Sequence, residues 1–184
     1  MSALTPANLL TLLRLFLIPV FAISMLYSRP GWAFFTFVAA GITDALDGLI
    51  ARLTGQLTTL GAWLDPMADK LLLLTVFVML TMPSLNLPNH FPLWLTVLVI
   101  SRDIGIVLTV AIVNLAVTRR TFRPSLLGKT ATVVYIVTAG VALFFNYLGQ
   151  QSPVVRVCVY LSLVITLASG FDYLFRVMRQ TDRT

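Results

Sequence analysis

Four aspartate residues lie close together in an otherwise apolar part of the sequence: Asp44, Asp47, Asp65 and Asp69. An ionisable side chain inside an apolar segment is costly and marks a functional site by default. Four carboxylates together need positive charge among them, and ligands that are all oxygen suit a hard cation such as Mg²⁺ or Mn²⁺. The cluster therefore predicts a divalent-metal site.

The spacing of these carboxylates places them on two helices joined by a short loop. Asp44 and Asp47 are i, i+3, and Asp65 and Asp69 are i, i+4, so each pair shares one helical face. Asp44 and Asp69 lie equally far from the connecting loop, residues 53–60, and Asp47 and Asp65 form a second matched layer. An antiparallel hairpin therefore brings the four carboxylates together in two layers.

Small residues and one arginine accompany the carboxylates. Gly48, Ala51 and Gly61 leave space between the two helices, so that a nucleotide or a diphosphate can approach the backbone. Arg52 supplies a fixed positive charge that suits phosphate. These residues predict a phosphate-binding groove beside the metal site.

The elements that carry this site are predicted to be membrane-spanning helices. The chain has 184 residues, of which 58% are hydrophobic and 11% charged, whereas about a quarter are charged in a typical soluble domain. A spanning helix needs about 20 mostly apolar residues. Six stretches meet this length: Asn8–Tyr27, Trp32–Arg52, Gly61–Met82, Phe91–Val117, Thr130–Leu148 and Val154–Val177. We therefore expect an all-α integral membrane protein with six transmembrane helices in one domain, residues 1–184.

The positive charge of the chain is concentrated in two segments. Arg119, Arg120, Arg123 and Lys129 lie between the fourth and fifth predicted helices, and further arginines follow the sixth. By the positive-inside rule these segments face the cytoplasm, and with six spans both termini and the carboxylate cluster face it too. The net charge of +6 therefore reports membrane topology and argues against nucleic-acid binding.

The carboxylate segment resembles the signature of a known enzyme family. Written out, it is Asp44-x2-Asp47-Gly48-x2-Ala51-Arg52-x8-Gly61-x3-Asp65-x3-Asp69, and it resembles the signature of the CDP-alcohol phosphotransferases at every fixed position. Members of that family are six-helix membrane enzymes, commonly homodimers, whose active site opens to the cytoplasm. The resemblance implies the same arrangement here, and we expect it in a bacterial inner (plasma) membrane.

The resemblance also implies a role for each motif residue. The four aspartates would hold two divalent cations, Mg²⁺ or Mn²⁺, that bridge the diphosphate of a CDP-linked lipid. Gly48, Ala51, Arg52 and Gly61 would shape and bind the CDP end. Asp69 would also act as the general base that takes the proton of the acceptor hydroxyl, and CMP would leave.

Further segments bear on the acceptor. Asn8-x2-Thr11-x2-Arg14 and the run from Leu64 to Lys70 resemble the phosphatidylglycerophosphate-forming and cardiolipin-forming branches of the family. The string Ile100-Ser101-Arg102-Asp103 resembles the cardiolipin-forming branch more closely. We expect transfer from CDP-diacylglycerol to glycerol 3-phosphate, with phosphatidylglycerol as the alternative acceptor. Five basic residues are candidates to bind the acceptor phosphate: Arg102, Arg119, Arg120, Arg123 and Lys129.

Several alternatives stay open at the level of sequence. Arg14 could snorkel to the membrane surface rather than bind, and Asp65 could cap a helix that begins at Pro66. Arg102 and Asp103 could compensate each other's charge without contact to a substrate. The basic segment 119–129 could only set topology and contact anionic lipids. A cation transporter could also place carboxylates in a helix bundle, although no internal repeat is visible.

Overall fold

The protein is described here by a computed structural model, which covers residues 6–54, 59–116 and 126–181. Side chains are described at these positions except 6–8, 47–54, 59–63, 65–66, 109–116, 174 and 176–181. The covered residues form six α-helices and one short 3-10 turn, Pro83–Leu85. The helices are α1 (Pro6–Leu26), α2 (Pro30–Thr54), α3 (Thr59–Thr81), α4 (Leu93–Ala116), α5 (Leu126–Tyr147) and α6 (Pro153–Thr181). Each predicted span coincides with one helix to within a few residues, so the all-helical prediction is confirmed.

Prolines and left-handed residues set several helix ends. Pro30 and Pro153 occupy the first positions of α2 and α6, where the missing N–H costs no hydrogen bond. α1 ends in a Schellman motif with Ser28 at φ 53°, and α5 ends in the same motif with Gly149 at φ 68°. The short connection after α1 makes α1 and α2 antiparallel neighbours.

Several helices carry the apolar surface of a membrane protein. Among the described residues, three segments are long and apolar enough to cross a bilayer: Leu9–Leu26, Leu126–Tyr147 and Pro153–Tyr173. Large apolar side chains such as Phe16, Trp32 and Val164 are exposed, as contact with lipid requires. The chain is therefore a membrane protein, and the crossing of the bilayer by α2, α3 and α4 stays a prediction.

The chain divides into two compact units, of which the first contains the carboxylate segment. This unit comprises Met1–His90 and Ala139–Gln151. In it α1 packs against both α2 and α3. Phe21 of α1 and Ala33 and Ala40 of α2 are fully buried. The two alanines are small, and small residues let helices approach closely where the hydrophobic driving force is weak. This packing fixes the three helices that carry the site.

A buried amide network ties the segment after α3 to the end of α5 within the first unit. The backbone N–H of Asn89 donates to Asn146 Oδ1 at 2.8 Å, and Asn146 Nδ2 donates to the Asn89 carbonyl at 3.0 Å. Asn89 Nδ2 also donates to the carbonyl of Gln150 at 2.7 Å. Because both asparagine side chains are buried, these mutual bonds satisfy polar groups that would otherwise be costly.

The second unit joins its helices through hydroxyl groups. It comprises Phe91–Thr138 and Ser152–Thr184, and in it α4 packs against α6. The hydroxyls of Thr138 and Ser162 lie 2.9 Å apart, and those of Tyr135 and Thr166 lie 2.7 Å apart. All four residues are buried, so α5 and α6 are linked by interhelical hydrogen bonds of the kind common in membrane bundles.

Candidate active site

One arginine side chain binds two of the motif carboxylates in the first unit. Arg14 Nη1 of α1 donates to Asp69 Oδ1 of α3 at 2.6 Å. Arg14 Nη2 lies 3.0 Å from Asp44 Oδ1 of α2. The first contact is a hydrogen-bonded ion pair, whereas the second is an ion pair by proximity without hydrogen-bond alignment. A single guanidinium group therefore connects three helices.

Each member of this cluster continues the buried stripe of its helix. On α1 the stripe runs through Thr11, Arg14, Phe21 and Met25, all buried. These positions recur at the three- and four-residue steps that define one helical face. On α2 the buried stripe contains Ala33, Phe37 and Ala40, and Asp44 follows one turn later. On α3 it contains Leu72, Val76 and Leu80, and Asp69 precedes them by one turn. The apolar packing of the three helices thus carries the charged groups to one place.

Exposure differs sharply within the cluster. The Arg14 side chain has 0% of its surface exposed, whereas Asp44 and Asp69 are 43% and 41% exposed. The guanidinium thus lies on the protein side of the carboxylates, and part of each carboxylate remains accessible. Accessible carboxylate oxygens, anchored from behind by a fixed cation, can accept a metal ion, a proton or a hydrogen bond from a ligand.

The chain as a whole matches a family of membrane transferases. The family model described as CDP-alcohol phosphatidyltransferase matches residues 4–168, which covers α1 to α5 and most of α6. The chain belongs to the CDP-alcohol phosphatidyltransferase family. This confirms the enzyme class expected from the aspartate motif and favours it over the cation-transporter alternative.

Named relatives of this phosphatidyltransferase fall in two branches. It is 38% identical over 183 residues to a probable phosphatidylglycerophosphate synthase of Mycobacterium tuberculosis, covering 94% of this chain and 81% of the relative. It is 29% identical over 184 residues to the CDP-diacylglycerol–glycerol-3-phosphate 3-phosphatidyltransferase of Bacillus subtilis, covering 90% and 91%. It is 35% identical over 140 residues to a CMP-forming cardiolipin synthase of Streptomyces coelicolor, covering 70% and 60%.

The structure brings together the two motif aspartates whose side chains it describes. Asp44 and Asp69, the pair expected to lie equally far from the connecting loop, share the same guanidinium. Among the side chains described, no group of three histidine, cysteine, aspartate or glutamate residues could hold a metal. The other motif residues of the phosphatidyltransferase lie on α2 and α3, with side chains outside the described set: Asp47, Gly48, Ala51, Arg52, Gly61 and Asp65. Their roles stay predictions.

The structure describes two of the five residues predicted to bind the acceptor phosphate, Arg102 and Lys129. Arg102, on α4 of the second unit, pairs with Asp103 at 2.7 Å and donates from Nε to Ser169 Oγ at 3.2 Å. Its side chain is only 11% exposed, so the proposed mutual compensation of Arg102 and Asp103 is present. Lys129 is exposed in the first turn of α5. Arg119, Arg120 and Arg123 lie outside the described residues.

Arg14 is a part of the site to which the sequence assigned no role, although it lies in the family-like segment Asn8-x2-Thr11-x2-Arg14 and binding was left open for it. The possibility that it snorkels is wrong, because its side chain is fully buried and paired with two carboxylates. The signal that could have found it is the pattern Thr11, Arg14, Phe21, Met25, which places the arginine on the same face as core residues. A second signal is charge, since a cluster of carboxylates in an apolar setting requires a counter-ion.

Proposed function

We propose that this phosphatidyltransferase makes phosphatidylglycerophosphate, by moving the phosphatidyl group of CDP-diacylglycerol to glycerol 3-phosphate with release of CMP. The observation that carries the proposal is Arg14 bridging Asp44 and Asp69, two residues of the signature, in a chain that matches the family over residues 4–168. The acceptor is supported by the 38% identity to a probable phosphatidylglycerophosphate synthase across 94% of this chain.

The reaction exchanges one phosphorus–oxygen bond for another. An acceptor hydroxyl oxygen bonds to the lipid-side phosphorus of CDP-diacylglycerol, and the bond from that phosphorus to CMP breaks, so that CMP leaves with the electron pair. The hydroxyl proton passes to the carboxylate of Asp69. Asp69 suits this role because it is partly exposed and oriented by its 2.6 Å hydrogen bond from Arg14.

The donor set of the site fits divalent cations. Asp44, Asp47, Asp65 and Asp69 would hold two of them, Mg²⁺ or Mn²⁺, because their ligand atoms are all carboxylate oxygens. The described pair, Asp44 and Asp69, keeps accessible surface for this purpose. Such cations, when bound, neutralise the diphosphate and stabilise charge on the leaving CMP.

The remaining motif residues would bind the donor nucleotide. Gly48, Ala51 and Gly61 would leave the backbone open to the CDP group because they carry little or no side chain, and Arg52 would contribute a positive charge for its phosphates. Binding the donor in this way positions the reacting phosphorus next to Asp69, and positioning supplies much of the rate in phosphoryl transfer.

We further propose that all six helices cross a bacterial inner membrane as a single domain, with the site and both termini at the cytoplasmic face. The clustered basic residues of segment 119–129 and the segment after α6 support this orientation. A homodimer is the expected assembly, and the substrates and surrounding lipids are the expected partners.

A cardiolipin-forming activity, with phosphatidylglycerol as acceptor, is the second candidate. It is favoured by the 35% identity to the cardiolipin synthase of Streptomyces coelicolor over 70% of this chain. The two activities share donor, metal and base, and they differ only in the alcohol that attacks.

The test is release of CMP by detergent-purified protein given CDP-diacylglycerol and Mg²⁺ or Mn²⁺. Glycerol 3-phosphate, phosphatidylglycerol, inositol, inositol phosphate and serine are supplied separately. We expect release only with glycerol 3-phosphate, and release only with phosphatidylglycerol would establish the second candidate. Folded protein that releases no CMP with any of these acceptors would contradict the proposal.

A further inference from the structure

Arg14 has no assigned part in the transfer reaction, yet it is the most thoroughly buried charged group of the first unit that the structure describes. Its side chain has 0% exposure on a helix whose segment Leu9–Leu26 is apolar enough to span a membrane. An arginine within a spanning segment is costly, up to about 2.5–3.5 kcal/mol at the centre of the bilayer, and Arg14 is the sixth residue of this segment. Pairing offsets such a cost, and the structure describes ion pairs between Arg14 and two signature residues, Asp44 and Asp69.

The geometry of the contacts depends on arginine in particular. Two different nitrogens of one planar group reach two different helices, Nη1 to Asp69 and Nη2 to Asp44. A lysine ammonium is a compact point charge that offers no such fixed fork. The guanidinium therefore holds Asp69 by a directed hydrogen bond and Asp44 by an ion pair from its other terminal nitrogen, and it balances the charge of both carboxylates.

We propose that Arg14 is a positioning residue: it holds Asp44 and Asp69 from the buried side in the arrangement that binds divalent cations. Groups that orient metal ligands from behind typically change metal affinity or activity by about 10- to 100-fold when they are removed. This inference rests on the proposed function, since it concerns the metal role given there to the aspartates. Arg14 itself touches neither metal nor substrate in this scheme.

The positive charge of Arg14 and its positioning role have opposite expected effects on the affinity of the site for cations. If Arg14 were only a nearby positive charge, replacing it with a neutral residue would strengthen cation binding, because like charges repel. Replacing it with lysine would then change little. If Arg14 positions the carboxylates, both replacements weaken cation binding.

The deciding experiment is Mn²⁺ titration of full-length protein in detergent, followed by the electron paramagnetic resonance signal of free Mn²⁺. Arg14→Lys and Arg14→Gln are compared with the unaltered chain and with Arg156→Gln, a control that removes an exposed arginine of α6. We expect about 10-fold weaker binding in Arg14→Lys and up to about 100-fold weaker binding in Arg14→Gln, with the control unchanged. Unchanged or tighter binding in both Arg14 variants would overturn the proposal.

The folding of each variant is checked by circular dichroism and size-exclusion chromatography. Arg14→Lys retains the positive charge, and it decides the question alone if Arg14→Gln does not fold.

Enzyme kinetics provide a second measurement, which a purely structural role of Arg14 would not change. In Arg14→Lys we expect kcat to fall and the Mn²⁺ concentration needed for half-maximal activity to rise. KM for CDP-diacylglycerol should stay within about twofold of that of the unaltered protein. A normal Mn²⁺ requirement would contradict positioning.

A further arm separates this inference from the proposed function. If the unaltered protein bound no Mn²⁺, the metal role of the aspartates would be wrong. Thermal unfolding in EDTA would then test separately whether Arg14 holds the two carboxylates. Arg14→Gln should lower the unfolding temperature in the unaltered chain and much less in the Asp44→Asn/Asp69→Asn background. Equal lowering in both backgrounds would show that Arg14 does not hold these carboxylates.

Discussion

Replacing Asp69 with asparagine tests the base assignment with little disturbance of shape. Asparagine keeps an oxygen at the position of Asp69 Oδ1, so it can still accept the hydrogen bond that Arg14 Nη1 donates at 2.6 Å. It cannot take up the acceptor proton, because an amide has no useful basicity. The substitution therefore removes the proposed chemistry while it keeps the contact that holds α3 to α1.

The structure sets the expected size of both effects. Loss of a general base lowers rates by about 10²- to 10⁴-fold, which corresponds to about 3–5 kcal/mol in the barrier. Loss of the charge of Asp69, which is 41% exposed, should cost about 1–3 kcal/mol of stability, because it leaves the fully buried Arg14 with one counter-charge fewer. Asp44 and the retained hydrogen bond still compensate Arg14 in part. We therefore expect Asp69→Asn to be folded but almost inactive.

The assay is CMP release with CDP-diacylglycerol and glycerol 3-phosphate at saturating Mn²⁺, alongside a thermal unfolding measurement. Asp172→Asn, at a partly buried position of α6 in the second unit, is the matched control and should retain full activity. Activity of Asp69→Asn within about tenfold of the unaltered protein would refute the base assignment. Loss of folded protein in this variant would show that Asp44 and the retained hydrogen bond do not compensate the buried charge of Arg14.

Other substitutions and conditions test separate parts of the structure. Excess EDTA should abolish CMP release and added Mg²⁺ or Mn²⁺ should restore it; full activity in EDTA would contradict the metal role. Asn146→Ala should lower stability by about 1–3 kcal/mol, measured by thermal unfolding, because it leaves the buried Asn89 amide groups without these bonds. Thr138→Val should cost about 0.6 kcal/mol and at most about 1.7 kcal/mol in thermal unfolding, the average and maximum for interhelical bonds such as that to Ser162. Arg102→Gln should lower the unfolding temperature and leave KM for glycerol 3-phosphate unchanged, because Arg102 is 11% exposed and pairs with Asp103; a KM raised about tenfold or more would instead favour binding of the acceptor phosphate.

The helices and the pairing of Asp44 with Asp69 were accessible from sequence for a simple reason. Apolar runs long enough to span a bilayer leave few choices of secondary structure, since backbone polar groups must be satisfied within the segment. Turn residues such as Pro30 and Gly149 then mark where one helix ends and another begins. A short loop predicts two antiparallel helices, so residues equally far from it are expected at the same level, and Asp44 and Asp69 do share the Arg14 guanidinium.

The sequence alone could not predict what packs against each face of a helix. Helical spacing shows that Thr11 and Arg14 share a face with Phe21, but it does not say whether lipid, water or another helix covers that face. An arginine in the N-terminal half of an apolar helix, such as Arg14 in α1, has the same local pattern in each case. The hydroxyl pairs between α5 and α6 were missed for the same reason, because threonine and serine are ordinary residues in apolar helices and their partners are distant in sequence.

The ion-paired arginine also constrains how the protein is made. Arg14 leaves the ribosome before either partner, and Asp69 follows 55 residues later, a delay of about 3–11 s at ordinary rates of synthesis. Until both Asp44 and Asp69 have been made, the charge on α1 is at most partly compensated, which opposes full entry of the helix into the lipid. We expect α1 to wait near the membrane surface until α2 and α3 arrive, so that the three helices insert as one event. The contact that orders the finished site would thus also time its assembly.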